Sequence, residues 1–538
     1  MVTAAGLATV NHLPVLLLPG DSYITRRQGP VLQQLEHPLG PDISVNDAFR
    51  PIAKFFDRIT RPEQLLYSLP SAFRVLANPV ETGAVVLALP QDIQSHAFDF
   101  PKAFFEDREW KIRRTVPEIE DIGHVAKLIK AAKKPLIIAG GGVIYSDAHA
   151  ALANLVEATG IPVGVSQAGV GSLNWDHPQM TGSVGATGTT ASNRLAAKAD
   201  LVIGIGTRYS DFTTASRTAW QNNDVKFINI NIGAFDAFKH GSATPIVADA
   251  RETLVELSAE LKGYAVDAAY AKEIADEKAQ WDATVDAAFV DRKLAKPSQT
   301  EIIGAVQAAS DPRDVLICAA GSLPGDLHKL WRVRDQLGYH VEYAFSCMGY
   351  EIAAGLGVAR ADSSRTPIVM VGDGSYLMMH TEMVSAVAEG LKFVIVLIQN
   401  HGFASIGHLS EDVGSERYGT KYRFRDGKGN NFETGDVLPV DLATNAESLG
   451  MNVIRINESP NAIADLSAAV KAAKAHPKAT LIHINNDPLL YAPDGEGWWD
   501  VPITAESTLA STQKAYAGYK EAIKRQKKYL GKGATERK

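Results

Sequence analysis

Apolar residues in this chain gather in short continuous runs separated by helix-length stretches. That is the pattern of parallel strands buried on both faces and joined by helices. The clearest case lies in the last third. Pro367-Ile368-Val369-Met370-Val371 reads as one strand, and the run from Phe393 to Ile398 as another. Between them, residues 377–389 read as a single helix, with Met383, Val387 and Leu391 on one stripe. Strand, turn, helix and strand predict a βαβ unit. Residues 135–139, 201–206 and 227–230 are further strand-like runs alternating with helical stretches, as in a Rossmann-like domain. Near the start, the runs 15–18 and 85–89 read as buried strands, each closed by a proline (Pro19, Pro90). Residues 62–76 read as a helix with proline in its first turn and Thr60 as N-cap.

The expected fold class is therefore α/β, with three doubly wound parallel-sheet domains. Residues 1–105 hold too few strands for a sheet covered on both faces, and the chain opens on a helix-like segment, so this first domain is expected to be incomplete. Residues 119–263 form the Rossmann-like middle domain. Residues 264–296 are charged, helical in pattern and expected to be a linker. Residues 297–487 form the third domain. A tail, 488–538, carries Trp498 and Trp499 and then a basic helix over 512–530 whose lysines suit a solvated face.

Composition narrows the function classes. The 538 residues are 46% hydrophobic and 21% charged, an ordinary globular mixture. A net charge of −7 leaves no nucleic-acid footprint. No apolar run is long enough to cross a bilayer, and the start lacks the basic segment of a signal peptide. Cys318 and Cys347 form no metal-ligand spacing and exclude a disulfide framework; their scarcity fits a reducing cytoplasm.

The chemistry concentrates at Gly372-Asp373-Gly374, which ends one predicted strand, and at Asn400, which ends the next. A carboxylate and an amide oxygen then stand at the carboxyl ends of two parallel strands, where open α/β sheets bind ligands. Beside a glycine turn and a helix N-terminus, they suit a Mg²⁺ carrying a diphosphate. Gly140-Gly141-Gly142 lacks the spacing of a dinucleotide fingerprint, with no acidic residue at ribose distance, and reads as close helix–sheet packing.

Together with that motif, three segments resemble the thiamine diphosphate (ThDP)-dependent superfamily that includes acetolactate synthase: Ala319 to Leu327, Ser346 to Glu351, and Asn400-His401-Gly402-Phe403. The likeness extends through Pro30 to Gln34 and Gly206 to Phe212. The segments around Gly321 and Cys347 and the paired tryptophans are most similar to the branch that opens a cyclic polyol dione in myo-inositol catabolism. The resemblance implies ThDP and Mg²⁺ as cofactors. It implies Asp373, Asn400 and the Gly402 carbonyl as metal ligands, with Gly372, Gly374 and Ser375 at the diphosphate. Met348 would support the bent cofactor, and Gly321 and Ser322 would line the loop at its mouth. It also implies hydrolytic ring cleavage to 5-deoxy-D-glucuronate and a homodimer or homotetramer with shared sites. A carboligase or decarboxylase of 2-oxo acids, and a non-catalytic ThDP-binding form, stay open as alternatives, as does a bound flavin.

The relay glutamate that the resemblance implies lies upstream of the segment matched by residues 2–18, and no residue of this sequence matches it. Glu36, Glu63 and Glu351 fall at other positions of the pattern. The chain as given is therefore expected to be a poor catalyst, with His401 the one candidate for a catalytic role, open between function and a satisfied loop residue. His328 and His380 read as satisfied polar residues, Cys347 as a small buried space-filler, and Arg208 and Asp211 as holding a loop.

Overall fold

Each apolar run named above becomes a strand, and each pairing between strands is parallel among the described residues. The computed structural model describes residues 1–27, 29–32, 34–239, 244–425, 435–528 and 530. Gln33, in the segment that begins at Pro30, and the last residues of the tail lie outside the described residues. Contacts divide the chain into two compact units, Met1–Arg114 and Thr115–Lys538.

In the first unit, strands β1 (Val15–Leu17), β2 (Gly20–Asp21) and β3 (Phe55–Arg58) surround β4 (Ala84–Pro90). β1 and β3 flank β4 on opposite sides, both in register with Val85, and β2 continues the β1 side. β4 is buried almost throughout, as its apolar run requires. β1, expected to be buried, is only half-buried, and Leu18 is exposed; β1 pairs with β4 alone, so it lies at an edge. β2 and β3 are too short and too polar to show in the apolar pattern. Residues 62–76 begin with a 3₁₀ turn, Pro62–Gln64, and continue as the helix Leu65–Leu76. Thr60 is not the cap. Arg61 takes that position, and the Gln64 side-chain oxygen reaches back to accept from the Thr60 N–H at 3.0 Å.

The second unit carries two six-stranded sheets. The first orders β5 (Pro135–Ala139), β6 (Val163–Val165), β7 (Met180–Ser183), β8 (Leu201–Ile205), β9 (Lys226–Asn231) and β10 (Thr244–Val247) as β10-β9-β8-β5-β6-β7. Its glycine run packs closely, as expected: a Cβ at Gly142 would lie 2.5 Å from the Gly206 Cα, at the end of the adjacent strand. The segment 264–296, expected to be a helical linker, is largely helix. The helix Ala268–Ala288 buries Tyr270, Ile274, Trp281 and Val285. Asp211 does hold a loop, accepting from the Ser216 hydroxyl and from the Trp499 indole at 2.9 Å. The basic stretch of the tail forms the helix Ala510–Ile523, with Thr512 its buried residue.

The second sheet orders β11 (Val315–Cys318), β12 (Tyr339–Val341), β13 (Pro367–Gly372), β14 (Val394–Gln399), β15 (Asn452–Arg455) and β16 (Thr480–Asn485) as β12-β11-β13-β14-β16-β15. β13 is apolar, β14 is apolar up to its last residue, Gln399, and both are almost wholly buried. The single helix expected between them is two: Asp373–Met378 and Glu382–Glu389. Met383 and Ala386 are buried in the second, while Val387 is exposed. The buried pair is therefore spaced by three, one of the two spacings that share a helix face.

Entry to this sheet is fixed by Glu301. Ser298 caps the helix Gln299–Ala309 in a reciprocal capping box with Glu301. The Glu301 carboxylate has no exposed surface and accepts from the Arg292 guanidinium and the Arg292 N–H, both at 2.8 Å. Burial opposes the charge, but these donors and Ser298 win and hold the acid down at about 2. A carboxyl whose folded pKa is depressed contributes stability that is present above its unfolded pKa and lost as pH falls toward the folded value. Glu301→Gln is therefore expected to lower stability by about 1–3 kcal/mol near neutral pH. In urea unfolding followed across pH, its difference from the parent protein should shrink below pH 4.5 and vanish toward pH 2. A difference that does not vary with pH would show that the carboxylate charge contributes nothing.

Candidate cofactor site

The order of the second six-stranded sheet creates a crevice. After β11 the chain moves to β12 on one side, then returns to β13 on the other. Where neighbouring strands lead off in opposite directions, the loops at their carboxyl ends diverge and leave room for a ligand. Three loops meet there: Ala319 to Gly321 after β11, Met348 to Gly349 before the helix Tyr350–Ala361, and Gly372 to Ser375 after β13. Asn400 to Gly402, after β14, is the next loop along.

Asp373 sits at the floor with 0% exposure. One carboxylate oxygen accepts from the Gly374 N–H at 3.0 Å, and the other from the Asn400 and Gly402 N–H groups, each at 3.2 Å. Among the described residues no cationic side chain pairs with it. Burial pushes its pKa up to about 6 in spite of these backbone donors. The Asn400 side-chain oxygen is also buried and has no hydrogen-bond partner among the described residues. Two adjacent loops thus present a carboxylate without a cation and an orphaned amide oxygen. Both deficits are met by one hard cation with oxygen ligands. No three His, Cys, Asp or Glu side chains form a metal cluster among the described residues. The donor set therefore suits a cation that brings phosphate or water as its remaining ligands, as Mg²⁺ does.

Gly402 is where the loop needs a glycine. A Cβ there would lie 2.1 Å from the Thr420 carbonyl oxygen. The missing side chain lets residue 402 bridge to Lys421 and brings its N–H to Asp373. Gly372 and Gly321 have open space where a Cβ would point, and Gly321 has φ +91°. Met348 is half-buried beside Gly349. The Ser322 hydroxyl turns away, donating to the Gln299 amide oxygen at 3.1 Å.

Two expected phosphate donors are engaged within the protein. The Gly374 N–H serves Asp373, and the Ser375 hydroxyl lies 2.8 Å from both carboxylate oxygens of Glu351. The helix that starts at Asp373 has only six residues, so its dipole contributes less than a longer helix would. Glu351 has no assigned role in the sequence pattern, yet it is 1% exposed and lies at the centre of the three loops. Besides Ser375, it accepts from the Gly349 N–H at 3.0 Å and the Ala320 N–H at 3.4 Å. A charged residue in an otherwise apolar helix start (Tyr350-Glu351-Ile352-Ala353-Ala354) is the signal available in the sequence.

His401 borders the site, with φ +57° and a ring tied into a chain: its Nδ1 is 3.1 Å from the Gln399 amide nitrogen, whose partner oxygen is 2.6 Å from His483. Burial lowers its basicity. His328 is buried, paired with the Thr187 hydroxyl at 2.9 Å, and burial pushes it down to about 3. His380 stacks on Tyr376 with ring centres 5.0 Å apart. Cys347 is half-buried rather than a buried filler, and burial with the nearby Glu342 and Glu351 raises its thiol pKa.

Comparison with known proteins agrees with this arrangement. Residues 122–257 match the thiamine pyrophosphate enzyme central domain, and residues 319–484 the thiamine pyrophosphate enzyme C-terminal TPP binding domain. The chain is 40% identical over 540 residues to a 3D-(3,5/4)-trihydroxycyclohexane-1,2-dione hydrolase of Bacillus cereus (strain AH820), covering 96% of this chain and 83% of that protein. A second such hydrolase, from another strain of Bacillus cereus, is 39% identical over 98% of this chain and 85% of its own length. One from Bacillus thuringiensis (strain Al Hakam) is 40% identical over 96% and 83%.

Asp373→Ala removes the carboxylate but keeps the loop backbone. In calorimetric titrations with ThDP and Mg²⁺ it is expected to weaken binding by at least about 100-fold, since outer-shell changes alone cost about 10–100-fold. Undiminished Mg²⁺-dependent binding by a folded Asp373→Ala protein would remove this cradle as the cation site.

Proposed function

Because this chain belongs to the thiamine pyrophosphate enzyme family, we propose that it is a ThDP- and Mg²⁺-dependent hydrolase that opens the ring of 3D-(3,5/4)-trihydroxycyclohexane-1,2-dione, releasing 5-deoxy-D-glucuronate in myo-inositol catabolism. The observation that carries this reading is the near-complete coverage of the chain at 40% identity by hydrolases of that dione. The cation-deficient pair Asp373 and Asn400 supports it at the level of the site.

When bound, ThDP supplies the nucleophilic carbon and the electron sink for breaking a carbon–carbon bond beside a carbonyl. The chain supplies position and electrostatics. Asp373 and Asn400 hold the cation, with the Gly402 carbonyl as third protein ligand. With a cation at Asp373, the Gly374 N–H now bonded to that carboxylate would be free to serve a phosphate. Gly372 and Gly321 leave the approach clear of side chains, and Ser322 keeps to the wall of the loop. Met348 supports the cofactor from below, on a loop pinned through Gly349 to Ser375 and Glu351. His401, neutral and tied to Gln399, acts as a fixed polar wall rather than a proton carrier.

Incubation of the chain with ThDP, Mg²⁺ and each candidate substrate tests this. The dione is expected to give 5-deoxy-D-glucuronate, and pyruvate to give neither acetolactate nor CO₂. Products from pyruvate alone would replace this reading with a 2-oxo acid carboligase or decarboxylase.

We assign the protein to the cytoplasm, in keeping with its two free cysteines. No helix among the described residues is long and apolar enough to cross a membrane. A homodimer is the proposed assembly, supported by the large apolar side chains that the first unit leaves exposed, Tyr67, Leu39 and Phe105 among them. Gel filtration with light scattering should give twice the chain mass; a stable monomer at micromolar concentration would refute the dimer.

A further inference from the structure

Glu351 is a buried carboxylate placed against a hydroxyl that the cofactor needs. Hydrogen-bond counting at Ser375 defines the problem. Its oxygen accepts from the Gly349 N–H at 2.7 Å. Its one hydrogen points to Glu351, with both carboxylate oxygens at 2.8 Å. A serine hydroxyl has one hydrogen and two acceptor sites. While Glu351 is ionised, Ser375 has no hydrogen left for a phosphate oxygen. If Glu351 carries a proton, it donates to the free acceptor site of Ser375, and the Ser375 hydrogen turns outward. Every site on the Ser375 oxygen is then used.

We propose that Glu351 takes up one proton when the diphosphate binds, converting Ser375 from a donor to Glu351 into a donor to phosphate. This rests on the ThDP reading above. The proton comes from solvent and settles on a Glu351 carboxylate oxygen; no covalent bond to carbon or phosphorus changes.

The surroundings favour this. Glu351 is 1% exposed, and burial raises its pKa against the Ser375, Ala320 and Gly349 donors. Among the described residues, the groups facing it supply no positive charge. Cys318, on β11 behind it, has a thiol that burial holds at about 12. Cys347 has a raised pKa as well. Glu342 accepts from the Phe345 and Cys347 N–H groups in the preceding loop. Tyr350, beside it on the helix, has a phenol raised by burial and bonded to His340, whose basicity burial lowers. Asp373 begins the helix that carries Ser375. An arriving diphosphate brings more negative charge than one divalent cation cancels, which disfavours a second anion one hydroxyl away.

Titration calorimetry of ThDP into protein saturated with Mg²⁺, in buffers of different ionisation enthalpy at about pH 8, counts the protons taken up. The parent protein is expected to take up about one proton more than Glu351→Gln, whose amide mimics the protonated acid. As pH rises above neutral, the parent protein's affinity should fall relative to Glu351→Gln, by at most about tenfold per pH unit. Ser375→Ala should lose the same linked proton, and it replaces Glu351→Gln if circular dichroism shows that variant unfolded. Equal proton counts in parent and variants, with ThDP bound by all, would overturn the inference and leave the cofactor reading intact. No Mg²⁺-dependent binding by the parent protein would overturn both.

Discussion

A carboxylate removed from water with no cationic side chain beside it among the described residues is the constraint around which the second six-stranded sheet is arranged. Asp373 is surrounded by the N–H groups of its own turn and of the Asn400 loop, and these are not enough to keep it as acidic as a solvated aspartate. Such an arrangement costs folding energy unless a ligand compensates it. The buried strands β13 and β14, paired in register from Ile368 with Val394 to Gly372 with Ile398, are what fix the two loops next to each other. The apolar core thus holds in place a polar deficit that it could not itself relieve.

The same constraint orders the neighbouring loops. Gly349 and Ala320 converge on Glu351, and Glu351 on Ser375, two residues beyond Asp373. Two acids thus lie on either side of the short helix start, one facing the cation position and one facing the serine. They share a helix start but differ in what would relieve them: a cation for Asp373, a proton for Glu351.

How much of this is legible in the sequence depends on sequence distance. Runs such as Val394 to Ile398 announce buried parallel strands because burial on both faces leaves no polar alternation, and the glycine–aspartate–glycine turn with Asn400 declares its chemistry within one βαβ unit. The sequence is less informative where a short polar strand has to be recognised, as with β2 and β3, or where three residues divide one expected helix into two. Glu351 escapes notice in the sequence because its significance lies in partners 31, 2 and 24 residues away, brought together by three separate loops. Thr60 fails as a cap for a local reason: its hydroxyl donates to the Gln64 side-chain oxygen, which also accepts from the Thr60 N–H.

The contact between residue 402 and the Thr420 carbonyl bears on how this chain can diverge. An oxygen ligand can be supplied by several side chains, so the chemistry at positions 373 and 400 has some latitude in principle. The backbone at 402 has none, because even one added methyl group would lie 2.1 Å from that carbonyl oxygen. Descendants of this protein could therefore exchange one cation for another, or lose the cation altogether, and still be obliged to retain the glycine. The most durable trace of the cofactor's presence would then be a residue without a side chain.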